Sequence, residues 1–308
     1  MNAEDPFFVE ETDIEILMHK EVHFQGEFPV MLDYYYNEGK GIQEAFDIER
    51  IERLAFLEKQ SPSPLKEILL TEEDLQKIEK AKEAYHKLQT ATGTQKKLAD
   101  LILSEEEHPE KLIEEVCALK EKVIPLLLRL LKEDDFYDPL FPGYGLAPIL
   151  AGECLGVLKV KEAIIPLFEA IRKAEFFGEE PLISALFQIG DEAKDFLLTT
   201  LKKTPITQEN ENAAIALLPF QNDSFVKNTS LDLLELPETQ NRPLFFTYLL
   251  LLVDSLDDSI SIGRLEKLTK LSLPPELQEE LQWTLRRKTP TPKKSSKYFS
   301  RTKVFWPF

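Results

Sequence analysis

Leu155, Leu186 and Leu217 stand 31 residues apart, twice over, and bring the stretches around them into register. The three stretches read ECLGVLKVKEAIIPLF, SALFQIGDEAKDFLLTTL and AIALLPFQNDSFV. A recurrence at this period constrains the fold before any motif does. Each unit is too short to bury its own apolar face, so it must stack against a neighbour. Each leucine is followed by a short polar turn, Lys159–Lys161, Gly190–Asp191 or Gln221–Ser224, and then by a second apolar-periodic run. Gly190 is suited to end the first helix, and Asp191 and Ser224 are predicted N-caps for the second. The unit is therefore helix, tight turn, helix.

A further copy lies upstream. Residues 122–133, KVIPLLLRLLKE, match AIIPLFEAIRK at 163–173, with Pro125 over Pro166. That offset is 41, and the surplus is close in length to DDFYDPLFPGYG at 134–145. This segment, with its aromatics, prolines and glycines, reads as an insertion between neighbouring helical hairpins.

The small-x-x-Leu-Gly pattern of Ala151, Leu155 and Gly156, the IGDEA turn at Ile189–Ala193 and the IPL opening at Ile165–Leu167 resemble HEAT repeats. The likeness is to the short bacterial type found in phycobilin-lyase-like proteins, and it covers about residues 110–236. It implies a right-handed α-solenoid. It says little of function, because such arrays serve as enzymes, scaffolds and adaptors alike. The 34-residue period and Trp/Tyr signature of tetratricopeptide repeats do not occur.

The predicted class is thus all-α: a solenoid of HEAT-like hairpins with irregular helical ends. Residues 1–109 read as an irregular helical N-terminal region, or as a separate helical domain. Within it, 42–60 place Ile42, Phe46, Leu54 and Leu57 on one helical face, and SPSP at 61–64 breaks that helix. Thr71 and Asp74 form a capping box for the next helix, whose apolar stripe is Leu75, Ile78, Tyr85 and Leu88. Thr94–Leu103 forms another short helix. The repeats occupy 110–236, with the insertion at 134–145. Residues 237–288 begin with a loop at Pro237–Pro243 and hold further helices at Leu244–Leu256, Leu265–Leu271 and Pro275–Arg287. Residues 289–308 are a tail of Pro, Ser, Lys and aromatics.

The formal net charge of the 308 residues is −18. The last acidic residue is Glu280, and from Arg286 onward eight basic residues follow with no acid. The body without them is near −26 in charge, which opposes broad, sequence-independent binding to nucleic acid. The longest apolar run, Leu244–Val253, is half of what a bilayer-spanning helix requires. Two cysteines, Cys117 and Cys154, fall at apolar helical positions and are too few for a disulfide framework. These features, and a start without a Sec signal, lead to the expectation of a cytoplasmic protein or one exported without such a signal.

Catalytic signals are poor. His19 and His23 have i, i+4 spacing, but Lys20 stands where zincin chemistry needs Glu, so they read as partly exposed helix histidines. No Gly-rich phosphate loop, Cys-x-x-Cys pair or G-x-S-x-G is present. Neither a metal nor a cofactor is expected.

Three features remain as candidate protein-binding sites. Lys132, Arg172, Lys173, Lys202 and Lys203 end the second helices of successive repeats. Such cations are favoured by the helix dipole, or they form a positive stripe for an acidic peptide. In the insertion, Phe136, Tyr137, Phe141 and Tyr144 either fill a gap between hairpins or anchor a partner. In the tail, Phe305, Trp306 and Phe308 would dock on the acidic body or meet a peptide-like partner, in preference to lipid or nucleic acid. The expected function is a non-enzymatic scaffold or adaptor for a protein or peptide, with contacts on the concave face and the insertion. The alternatives are an exported effector acting through the tail and a HEAT-fold enzyme such as a bilin lyase.

Overall fold

A computed structural model describes residues 9–37, 46–104, 109–173, 178–271 and 273–288. Among the described residues the regular structure is helical throughout, with no strand. The chain divides into two compact units, 1–154 and 155–308. That division falls inside the stretch which the sequence assigns to repeats, rather than at 109/110 or 236/237.

The first unit holds α1 (Glu11–His23), α2 (Phe28–Asn37), α3 (Ile48–Gln60), α4 (Leu65–Leu69), α5 (Glu72–Gln89), α6 (Thr94–Ile102), α7 (Glu110–Cys117) and α8 (Ile124–Leu130). Helix α9 (Ala147–Val157) runs across the division. The capping box of α5 forms as predicted: the Asp74 backbone N–H donates to the Thr71 hydroxyl, and the Thr71 N–H donates to the Asp74 carboxylate at 2.8 Å. Helix α3 starts at Ile48, so Phe46 packs from ahead of the helix, and Ile42 lies outside the described residues.

Helix α1 is the axle of this unit and packs on α3, α4 and α5. Its apolar residues Ile16, Leu17 and Met18 enter a core with Phe28, Met31, Ile51, Leu54 and Ile78. Lys20 lies in the same helix with its side chain only 1% exposed. A buried ammonium is tolerated only when paired. Glu58 of α3 receives Lys20 Nζ at 3.0 and 3.1 Å, Glu21 lies 3.5 Å away, and the Phe28 ring centroid is 4.6 Å from the charge. Glu58 also accepts the Leu65 backbone N–H at 3.2 Å, tying α4 to the same group.

The second unit holds α10 (Ile164–Lys173), α11 (Glu179–Ile189), α12 (Asp191–Leu201), α13 (Gln208–Ala216), α14 (Ser224–Leu234), α15 (Pro237–Gln240), α16 (Pro243–Val253), α17 (Ser259–Leu268) and α18 (Pro275–Lys288). The predicted loop at 237–243 thus contains a turn of helix, and α17 begins six residues before the expected start. The N-caps differ as well. Asp223, not Ser224, caps α14, and it accepts from the Phe225 and Val226 N–H groups. Gly190 is the N-cap of α12, and Asp191 is its first residue.

The leucine register extends beyond the three copies legible in the sequence. Leu155, Leu186, Leu217, Leu249 and Leu281 follow at intervals of 31, 31, 32 and 32, and all five are fully buried. They mark the first helices α9, α11, α13, α16 and α18. The second helices α10, α12, α14 and α17 have their own buried register at Leu167, Leu197, Ser230 and Leu265. Each second helix packs on the next first helix: α10 on α11, α12 on α13, α14 on α16 and α17 on α18. Residues 237–288 are therefore built on the plan of 155–236. One residue brackets the step from α12 to α13. Buried Asn210 donates from Nδ2 to the Leu201 and Lys203 carbonyls at 2.9 and 2.8 Å, and its Oδ1 accepts the Thr207 N–H at 2.7 Å.

Candidate functional site

In the second unit the turns inside successive hairpins are linked one to the next. Lys161 at the first turn pairs with Glu192 at the second. Lys194 bridges Asp191 and Asp223 at 2.8 Å each, joining the second turn to the third. The Ser255 hydroxyl donates to the Gln221 carbonyl at 3.5 Å, joining the third turn to the fourth. These partners are 31, 29 and 34 residues apart, about one repeat each. The four turns therefore form one edge of this unit. The opposite ends of the hairpins are linked at the same spacing: Glu211 receives Arg242 at 2.8 Å, and Asp232 and Glu235 receive Arg264.

Large apolar side chains stand exposed along the turn edge. Val157 and Ile165 flank the first turn, and Phe187 lies just ahead of the second. Phe225 and Ile260 follow the third and fourth, at 58% and 77% exposure. Phe225 and Ile260 occupy the same place, two residues after the capping Asp223 and Asp258. The Phe187 ring meets the buried Phe220 ring edge-on at 5.0 Å, which ties the second turn to the third. Single exposed apolar residues are ordinary; here they recur beside each of the four turns. The same turns carry Glu162, Asp191, Glu192, Asp223, Asp257 and Asp258 against Lys159, Lys161 and Lys194, so the row is set in an acidic field. The Lys194 contact holds the Asp223 carboxyl below its ordinary range.

Of the basic residues singled out from sequence, Lys202 stands against Phe225 of this row. Arg172 and Lys173 end α10, Lys202 and Lys203 follow α12, and Lys132 follows α8; all five are exposed. Lys203 pairs with Glu209 at 3.2 Å, and Lys202 lies 5.4 Å from the Phe225 ring centroid. The charges of Lys202 and Lys203 are thus engaged within the unit.

The insertion is not a bridge between hairpins. Leu140 and Phe141 belong to the core of α1–α5. Phe141 is 2% exposed and offers no contact to a partner, which corrects its reading as a candidate anchor. Phe136, Tyr137 and Tyr144 are half-buried. The Tyr137 hydroxyl donates to the Leu131 carbonyl at 2.9 Å, and burial, with Asp134 nearby, pushes it up to about 12. Gly143 has φ +89°, and a Cβ there would meet the Ile102 carbonyl at 2.9 Å, so only glycine fits. Lys77 and Lys80 of α5 hold Asp138 and Asp135 at 2.5 and 2.7 Å, and the Tyr85 hydroxyl donates to the Phe141 carbonyl at 3.4 Å.

His19 is buried rather than the partly exposed helix histidine that its spacing suggests, while His23 is half-buried. Their rings lie 5.1 Å apart inside an aromatic cluster. His19 meets Phe46 at 5.0 Å; His23 meets Tyr85 at 5.4 Å and Tyr144 at 4.9 Å. Burial lowers His19 to about 4 and His23 to about 3, the latter also because a proton on His19 would repel one on His23. Both are neutral near pH 7. The i, i+4 spacing was visible in the sequence; the rings that cover it come from α5 and residues 134–145, too distant in the chain to be assigned.

Phe305, Trp306 and Phe308 lie outside the described residues, as does His108. Among the described residues no group of three or more His, Cys, Asp or Glu is placed to hold a metal, and no helix is long and apolar enough to cross a membrane. No family model, curated protein or solved structure matches this chain.

Proposed function

We propose that this chain is a non-enzymatic protein-binding scaffold, a right-handed solenoid of HEAT-like hairpins whose contact surface is the turn edge of the second unit. The observation that carries the reading is the row Val157, Ile165, Phe187, Phe225 and Ile260, held in line by pairs one repeat apart. Repeat stacking explains why one kind of position recurs on the surface at each turn. The surface differs from the concave face and insertion expected from sequence. Apolar side chains among excess carboxylates suit an apolar segment flanked by Lys or Arg. Aromatic and aliphatic anchors supply the binding energy, and the acidic surround speeds encounter and sets orientation.

The test is comparative affinity capture with the full chain and its Phe187→Asp/Phe225→Asp/Ile260→Asp variant, with melting curves for both. Proteins retained by the wild type and lost by an equally stable variant support the reading. An unchanged captured set refutes it. A chain ending at Lys288 forms the second arm. Capture that persists without residues 289–308 assigns the contact to the edge; capture lost with them assigns it to the tail, as an exported effector would require.

A further inference from the structure

The aromatic cluster around α1 contains two histidines that the scaffold reading does not use. His23 Nε2 is buried and has no hydrogen-bond partner, while a hydrogen bond to the Pro139 backbone ties the same ring to residues 134–145. His19 is 6% exposed. Facing the pair are Lys77 and Tyr85 from α5 and Asp138 and Tyr144 from the segment. The charges that α3, α4 and α5 otherwise turn towards α1 are engaged elsewhere: Arg50 with Asp13, Glu58 with Lys20, and Lys66 and Lys82 with Glu21. Among the described residues the carboxylate set against His19 is Asp138, and Lys77 already holds it at 2.5 Å. A proton on either ring is therefore placed among aromatic faces and a second histidine, without a free counter-charge.

We infer that His19 and His23 form a proton-triggered latch: neutral, they hold residues 134–145 on α1, and protonated, they release them. The segment makes a workable moving part. It is short and stiffened by its own turns, and its outer contacts are the ion pairs of Asp135 and Asp138 with α5. Release uncovers Phe141 and Tyr144, which the latched state keeps from solvent wholly or in part.

The direction follows from linkage. A histidine whose folded pKa lies below 6.5 favours the closed state fully above that pH, and the advantage falls as acid protonates the released state first. Each ring then contributes about 30-fold to release at about pH 5.

Hydrogen–deuterium exchange on the full chain at about pH 7.5 and about pH 5, corrected for intrinsic rates, tests the latch. Peptides from α1 and 134–145 should lose at least ten-fold protection at the lower pH, with α12 and α13 as internal controls. The His19→Phe/His23→Phe variant keeps the stacking but has nothing to protonate, and its protection should not change with pH. Should the double variant not fold, His23→Gln retains only the His19 contribution, and its acid loss of protection should be about 30-fold smaller than that of wild type. Ring titration by NMR is the independent readout, with both histidines expected well below 6.5. Equal protection of wild type at both pH values, the same acid release in the variants, or ordinary histidine titration would each overturn the latch.

Discussion

A methyl group on Gly156 would come within 2.6 Å of the Ala185 Cα, so α9 and α11 touch backbone to backbone at this point. The two residues sit beside the register leucines Leu155 and Leu186, and the small side chains there let the leucines interlock. Gly156→Ala is expected to destabilise the second unit by roughly 1–3 kcal/mol through overpacking, despite the better helix propensity of alanine. Urea unfolding should show a lower midpoint with an unchanged slope. A midpoint at or above that of the wild type would mean that the helices are not in contact here.

Asn210 is expected to be irreplaceable by size alone. Asn210→Ala strands carbonyls at the end of α12 and the Thr207 N–H ahead of α13. Loss of a cap together with buried unsatisfied groups costs about 2 kcal/mol or more. Asn210→Asp keeps the acceptor and loses the donors, so it should destabilise as well. Thermal melting of the two variants checks both statements.

In the first unit, Lys20→Met should cost about 3–5 kcal/mol, because it leaves Glu58 without its buried partner. Adding Glu58→Gln should restore part of the loss, since the orphaned charge goes with it. A double-mutant cycle in urea measures the coupling. Simple additivity of the two substitutions would show that Lys20 and Glu58 do not depend on each other.

The turn-edge row predicts a salt signature for whatever binds there. The excess carboxylates of the turns, Asp257 and Asp258 beside Ile260 among them, attract a basic partner over a distance that salt shortens to about 10 Å at 0.1 M. Association should slow with added salt while dissociation, governed by the buried apolar contacts, changes little. Surface plasmon resonance with a captured partner at two ionic strengths separates the two rates. A salt effect confined to dissociation would place the charges inside the contact rather than around it.

The helical class and the 31-residue period were legible because Leu155, Leu186 and Leu217 are each followed within a few residues by a polar turn, at Lys159–Lys161, Gly190–Asp191 and Gln221–Ser224, which fixes the register. The fourth and fifth copies were not. Leu249 is hidden among its neighbours in LFFTYLLLLV, where almost any register fits, and the spacing changes to 32. Leu281 lies in a polar helix whose apolar positions are few. The capping box at Thr71 and Asp74 was readable because both partners are local. The segment 134–145 was misplaced for the opposite reason: its core contacts, from Leu140 and Phe141 to α1–α5, join residues more than fifty positions apart. The turn-edge row was within reach, since DSF at 223–225 and DSI at 258–260 are a repeated phrase, but it has meaning only once the turns are known to line up.

That alignment of turns is the claim on which the rest depends, and proximity labelling tests it most directly. In a chain with Cys117 and Cys154 replaced by alanine, cysteine pairs at Lys161 and Glu192, at Lys194 and Asp223, and at Gln221 and Ser255 are treated with a short bismaleimide. Each pair should link within one chain, and a pair at Lys161 and Asp223, two turns apart, should not. Linkage at 161 and 223 equal to that at 161 and 192, or no linkage in the three neighbouring pairs, would contradict the account.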